Sequence, residues 1–415
     1  MKQVMVIENN MSLVFNLALF ASVLLSAFAA LTNISNLEYD VLVVGGGPSG
    51  LSALSGLARI RRRAILFDSG AYRNIATRHM HDVIGNDGTI PAVFREKARS
   101  QIAKYPTVEM INATISSIEN VNNGSYFVAT DSNGQNYTGR KVILGTGMKD
   151  IIPDSPDLKQ LFGKGVFWCP WCDGYEHRDQ PIGLISNLSL VMNHVLDLPT
   201  LYNDIAVYVN GTYTDESVAA LSATHPGWLE QLSAYNITVD NRTISSITRL
   251  NVTGPVNSTE LPDGSAFDAE TDTEYDRFLL TFSDQSTVER SAFLVVFPTS
   301  QASELGSQLG VKIENDKLMG NLTTKMKTNV AGVWAVGDAN SDGSTNVPHA
   351  MWSGKAAAVN VCGVLADEDA ELLVASGKSE RKSKRGESMT SDDDIERLLG
   401  RDLEVLWEST VTEYA

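Results

Sequence analysis

Cys169 and Cys172 stand two residues apart in the stretch Trp168-Cys169-Pro170-Trp171-Cys172-Asp173-Gly174. Such a pair has three ordinary uses: part of a metal site, a structural staple, or a redox couple. A zinc site takes about four ligands, usually two such pairs. Here the only other cysteine is Cys362, and the six histidines show no spacing that would complete a site. No metal is therefore expected. A disulfide that closes a two-residue loop restricts the unfolded chain very little, so a staple is a poor explanation. A redox couple fits best, because a CxxC setting lowers the pKa of one thiol and makes a thiolate available at neutral pH. Asp173 follows directly, and both free thiols and leaving thiolates need an ionisable partner close by. Cys362 lies in the apolar run Ala356–Leu365 and reads as a buried core thiol.

The elements that must position this pair begin at Tyr39–Val44, a β-branched run that reads as a buried strand. It enters Gly45-Gly46-Gly47-Pro48-Ser49-Gly50, followed by small and apolar residues at helical spacing and a second strand, Ala64–Phe67, ending at Asp68. Glycines 45, 47 and 50 supply G-x-G-x-x-G: one for the tight turn, one for backbone approach to a pyrophosphate, one for helix packing on strand. The pyrophosphate would sit at the positive end of the helix, and Asp68 could accept from an adenosine ribose. Two later strands also end in glycine turns, Lys141–Leu144 in Gly145-Thr146-Gly147 and Gly332–Val336 in Gly337-Asp338. Between them, short strands are expected at Ile182–Ile185, Ile205–Val209, Phe278–Phe282 and Phe293–Phe297, with Asn251–Glu274 as a polar surface excursion.

The chain is 415 residues long with a net charge of −17 and a pI near 4.8. Length allows two or more domains, and the acidity argues against nucleic acid or anionic membranes as partners. Met11–Ala30 is an apolar run ending in the small-x-small pattern Ala27-Phe28-Ala29, which reads as a secretory signal over residues 1–30. The competing reading is an uncleaved anchor, against which Asn16 and the small-residue end both count. Sequons at Asn33, Asn112, Asn123, Asn136, Asn187, Asn210, Asn236, Asn241, Asn251, Asn257 and Asn321 fit a glycosylated protein of the oxidising secretory lumen. Residues 367–415 form a charged tail; Lys384-Arg385 in it is either a processing site or part of a solvated linker, and Asp394–Glu408 has helical apolar spacing.

The Gly45–Gly50 loop, the Gly145-Thr146-Gly147 turn, CxxCD at 169–173 and Gly337-Asp338 resemble the low-molecular-weight thioredoxin reductases. The wording CPWCDGYEHRDQPIG, with Arg73-Asn74 and Asp87-Gly88 upstream, looks closer to a fungal branch that includes the gliotoxin-type dithiol oxidases. The resemblance covers about residues 38–366. It implies an α/β protein of two Rossmann-like three-layer domains, the pyridine nucleotide-disulfide oxidoreductase fold. An FAD-binding domain (38–150 and 299–366) would be interrupted by a CxxC-bearing, degenerate NAD(P)-type domain (151–298). By the same analogy Gly45, Gly47, Pro48, Ser49, Gly50, Asp68, Thr146, Gly147, Gly337 and Asp338 would hold FAD, and Asn346–Ala357 would pass the isoalloxazine. Cys172 would face the flavin, Cys169 would exchange with substrate, Asp173 would move the proton, and His349 would be a possible base on the opposite wall. The analogy also implies a homodimer.

One departure bears on the direction of electron flow. The strand at 181–185 runs into Ser186-Asn187-Leu188-Ser189-Leu190-Val191, which has no glycine, and Asn210-Gly211-Thr212-Tyr213 after the next strand offers no arginine or lysine. Without glycine the backbone cannot easily approach a pyrophosphate, so NADPH is not expected to bind. The preferred expectation is an FAD-dependent dithiol oxidase that forms a disulfide in a small-molecule or protein thiol and passes the electrons to dioxygen. An NAD(P)H-dependent disulfide reductase and a catalytically inert, secreted flavin-binding glycoprotein are the alternatives.

Overall fold

The computed structural model describes residues 37–155 and 157–375. The apolar run at 11–30, the sequon at Asn33, the dibasic pair at 384–385 and the segment 394–408 lie outside them. Among the described residues no helix is long and apolar enough to cross a membrane.

The first layer grows from β1 (Tyr39–Val44), β2 (Ala64–Phe67), β3 (Val108–Ile111), β4 (Ile115–Val121), β5 (Tyr126–Asp131) and β6 (Asn136–Leu144), in the spatial order β3-β2-β1-β6-β5-β4. Central strands β1 and β2 are buried on both faces, as near-continuous apolar runs in parallel pairing require. Helix α1 (Pro48–Arg59) starts with proline in its first turn, where the missing N–H costs nothing. It buries Leu51, Leu54 and Leu57 at three-residue spacing, each such side chain stabilising the fold by roughly 1.5–3 kcal/mol. A second helix, α2 (Pro91–Ile102), packs beside it.

The second sheet is all parallel: β7 (Val166–Phe167), β8 (Ile182–Ile185), β9 (Ile205–Tyr208), β10 (Thr238–Asp240) and β11 (Ala292–Val295), in the order β10-β9-β8-β11-β7. The chain then returns to the first sheet, where β12 (Val333–Ala335) pairs in parallel with β6. The fold is thus mixed α/β, with one all-parallel sheet and one whose parallel strands β3, β2, β1, β6 and β12 are extended by antiparallel β5 and β4. Strands at 182–185 and 278–282 lie as the sequence indicates, whereas the strand expected at 293–297 is set back to 292–295, where pairing with β8 ends.

Two expectations are corrected by the fold. Asn251–Glu274 is no mere surface excursion. It folds into a small antiparallel sheet of Thr259–Glu260, Ala266–Asp268 and Thr273–Tyr275, which buries Ser265, Asp268, Thr273 and Glu274. Its polar composition disguised it, because the buried groups are held by polar and ionic contacts rather than apolar ones. Cys362, on α4 (Val347–Ala375), is half-buried rather than buried.

Candidate active site

One cavity collects residues from every motif. Its wall includes Gly45, Gly47, Pro48 and Ser49 from the first loop, Thr146 and Gly147 from the turn after β6, and Asp338 after β12. Trp168, Cys172 and Asp173 line it from the inserted segment, and Asn346, Val347 and Ala350 from the start of α4.

The cavity suits a dinucleotide. A Cβ built on Gly47 or Gly147 would meet no atom within 4 Å, so each presents bare backbone to open space. The Thr146 hydroxyl is buried with no hydrogen-bond partner among the described residues, an orphan that a ligand would satisfy. Gly50 has the structural task instead: a Cβ there would stand 1.9 Å from the Gly45 carbonyl oxygen. Gly337, at φ +67°, likewise lies against Ser49 rather than on the wall.

Asp68 stands between two wall residues, Phe67 and Ser69. It is not on the cavity wall, and its carboxylate accepts from the Gly70 N–H (2.9 Å), the Tyr72 hydroxyl (2.7 Å) and Arg99 (3.1 Å). Close packing against Gly46, which leaves no room for a Cβ there, holds it in that position. His349 is also off the wall; its Nε2 lies 2.7 Å from Asp342 Oδ2, and its ring meets Trp352. The expected base on the opposite wall is therefore not supplied by this residue.

The cysteines are joined as a disulfide. Cys169 caps the short helix α3 (Pro170–Asp173), and the N–H groups of Cys172 and Asp173 both donate to its carbonyl. That turn puts Cys172, and not Cys169, on the cavity wall. Asp173 Oδ2 is sealed from solvent without a hydrogen-bond partner among the described residues. Burial, followed by the nearby Glu274 and Glu176 carboxylates, pushes its pKa well above the usual 3.8. A carboxyl that burial biases toward its protonated form, next to a thiolate leaving group, is equipped to donate a proton.

Arg73 braces the other side. It binds Asp150 through two nitrogens (2.8 and 2.7 Å) and Asp338 through a third (3.0 Å), and stacks over Trp168 at 5.3 Å. The buried position of Asp338 raises its pKa, against the pull of Arg73.

Sequence spacing missed a cluster behind the redox turn. His177 Nδ1 faces the Asp173 carbonyl oxygen at 3.1 Å and its Nε2 faces Asp276 Oδ2 at 3.0 Å. Arg78 reaches Asp263 and Asp276, at 2.8 and 2.9 Å, and also pairs with Glu274; Arg249 pairs with Asp276. His79 and His81 line the cavity from the same loop as Arg78. The histidines whose linear spacing suggested no metal site are thus brought among carboxylates, as His81–Glu176–Asp272 and His177–Glu274–Asp276. In the second group two guanidinium ions already supply the charge a cation would bring. The available signal was the i,i+4 relation of Asp173 and His177 together with His-x-His at 79–81.

Residues 39–196 match the family model described as pyridine nucleotide-disulphide oxidoreductase. A probable thioredoxin reductase of Arthroderma benhamiae is 46% identical, over 89% of this chain and 90% of that protein. Thioredoxin reductase tcpT of Claviceps purpurea is 31% identical, over 77% of this chain and 91% of its own length. Among solved structures, HlmI superposes with a TM-score of 0.67 at 28% identity, covering 82% of this chain and 96% of its own. A putative thioredoxin reductase TrxB from Bacillus anthracis matches in fold with the same TM-score at 24% identity, covering 80% and 99%.

Proposed function

The chain belongs to the thioredoxin reductase-like FAD oxidoreductases acting on thiols and disulfides, and from that premise we propose that it is a dithiol oxidase rather than an NAD(P)H-dependent reductase. The observation that carries the reading is the crossover between β8 and β9. Parallel strands are usually joined by an α-helix, whose first-turn N–H groups and positive end receive a dinucleotide phosphate. Here the connection is a pair of 3₁₀ turns, Leu188–Asn193 and Val195–Asp197. Leu188, Val191 and Met192 are buried there, and the Leu188 N–H donates to Thr212 Oγ1, which itself donates to the Val209 carbonyl. The loops after β8 and β9 are thereby tied to each other across the carboxyl ends of the strands, where a nucleotide would lie in an open α/β sheet.

In the proposed direction, a substrate thiolate attacks Cys169 and breaks the Cys169–Cys172 bond, leaving a mixed disulfide and a Cys172 thiolate. The second substrate thiol displaces Cys169 and closes the product disulfide. FAD, when bound, supplies the two-electron acceptor that regenerates the pair, with dioxygen as the final acceptor, giving hydrogen peroxide. The sum is dithiol plus dioxygen to disulfide plus peroxide. Cys172 on the cavity wall and Cys169 off it support this division of roles. The names of the relatives favour the competing reductase reading.

A secretory, N-glycosylated setting is part of the proposal. Asn112, Asn123, Asn136, Asn187, Asn210, Asn236, Asn241, Asn251 and Asn257 are exposed and Asn321 is half-buried, so each of these sequons is compatible with a bulky glycan.

The test is anaerobic mixing of the flavin-loaded protein with NADPH or with dithiothreitol, followed by air. Bleaching by dithiothreitol alone, peroxide on aeration, and loss of both in Cys172→Ser are expected. Rapid bleaching by NADPH would overturn the proposal.

A further inference from the structure

Oxidising a dithiol requires a base for the attacking thiol, and neither Asp173, whose buried carboxyl is biased toward its protonated form, nor His349, whose Nε2 faces Asp342, answers that need. The remaining histidines can be sorted by what their two ring nitrogens face. His177 has both committed, to the Asp173 carbonyl and to Asp276. His81 lies between two carboxylates, with Nδ1 3.8 Å from Asp87 and Nε2 3.5 Å from Glu176. His194 and His225 are not on the wall. His79 alone combines a place on the cavity wall, one nitrogen turned to a carboxylate (Nδ1, 3.7 Å from Glu274 Oε1), and Nε2 without a partner among the described residues.

We propose that His79, oriented by Glu274, is the general base that removes the proton from the substrate thiol attacking the Cys169–Cys172 disulfide. The proposal rests on the thiol half of the dithiol-oxidase reading, and it makes the inserted hairpin a part of the catalytic apparatus. Glu274 is buried on the strand Thr273–Tyr275, with Oε1 3.7 Å from His79 Nδ1. The groups around His79 are Glu274, Arg78 bound to that same carboxylate, His81 at a ring separation of 6.3 Å, and Phe267 at 5.1 Å. His177 lies beyond, 3.8 Å from Glu274. Burial alone would raise the Glu274 pKa, but the neighbouring His79 ring and the charge of Arg78 bring it down to about 2. Its negative charge is therefore fixed beside the ring that would take up the thiol proton.

The first substrate S–H proton passes to His79 Nε2 while sulfur bonds to Cys169, and the electron pair of the Cys169–Cys172 bond leaves on Cys172. The second substrate S–H proton ends on Cys169 as that sulfur is displaced. The substrate loses two electrons, the cysteine pair gains them, and His79 carries one proton beside a Cys172 thiolate.

The experiment follows anaerobic reduction of the flavin-loaded protein by dithiothreitol at pH 6.5 and pH 9. It reads flavin bleaching and, in quenched samples, the mass of the alkylated cysteine peptide. His79→Gln is expected to slow both about 100-fold at pH 6.5. At pH 9 the loss should shrink to roughly threefold or less, because a thiol of pKa near 8.5 ionises without help. Glu274→Gln should show the same pH-dependent pattern with a smaller loss. Equal slowing of His79→Gln at both pH values, or none at pH 6.5, would overturn the assignment. Bleaching by NADPH would count against the oxidase direction while leaving this thiol measurement intact.

Discussion

His177 and Asp276 are 3.0 Å apart, Nε2 to Oδ2, and the other face of the same imidazole meets the carbonyl oxygen of Asp173. One buried ring thus ties the end of the inserted hairpin to the last residue of the CxxCD turn. Asp276 also receives Arg78 and Arg249, so the redox turn leans on an ionic cluster rather than on an apolar core.

Removing one member of that cluster should be costly. Arg78 is 9% exposed while Glu274 and Asp276 are more deeply buried still. Arg78→Met should destabilise the protein by about 3–5 kcal/mol, because buried carboxylates are left without their partner. Urea unfolding at neutral pH measures it. A loss below about 1 kcal/mol, the range of an exposed pair, would contradict the buried network.

Asp173 gives a prediction with a sign in pH. Its folded pKa lies above the usual 3.8, so the stability it contributes is complete below 3.8 and declines as pH rises toward the folded value. Asp173→Asn does not titrate and should gain on the wild type in unfolding free energy between pH 4 and pH 7. The same variant should lose at least about 100-fold in dithiol-driven flavin bleaching. A pH-independent stability difference would contradict the shifted pKa.

Two glycines of the first loop should separate cofactor binding from folding. Gly47 has φ −75° and open space at its Cβ position, so Gly47→Ala places a methyl in the cavity. It should purify without flavin, with its unfolding free energy within about 0.5 kcal/mol of the wild-type apoprotein. Gly50→Ala drives a Cβ into the Gly45 carbonyl and should cost about 1–3 kcal/mol. Flavin content at 450 nm (about the usual absorption of oxidised flavin) and thermal unfolding distinguish them.

The cysteines should differ in access once reduced. Cys172 faces the cavity and Cys169 does not, so bound FAD shields the first. Iodoacetamide should label Cys169 at least about tenfold faster than Cys172 in the flavin-loaded protein, since thiol reactivity follows access as well as thiolate fraction. Peptide mass spectrometry reads the ratio, and faster labelling of Cys172 would reverse the assigned roles.

Much of the scaffold was legible because its signals are local. Tyr39–Val44 and Ala64–Phe67 announce buried parallel strands by unbroken apolar runs, and glycines 45, 47 and 50 announce the turn between them. The small sheet that begins inside 251–274 was not legible, because apart from Ala266 its buried residues are Ser265, Asp268, Thr273 and Glu274, which read as loop. Asp68 has the right spacing for a ribose acceptor, and only the structure shows that Tyr72, Gly70 and Arg99 also donate to its oxygens.

The CxxCD pair, the glycine turns and the absence of glycine after β8 are properties of residue type and spacing, so the sequence by itself determined the family, the cofactor and the redox couple. Which histidine meets which carboxylate depends on segments nearly 200 residues apart, as Arg78 and Glu274 are. Only the tertiary structure could decide that, because side-chain pairing across two sheets has no periodicity in the chain. It turned Asp173 toward Glu274 and Glu176, placed His79 on the cavity wall, and left His349 facing Asp342.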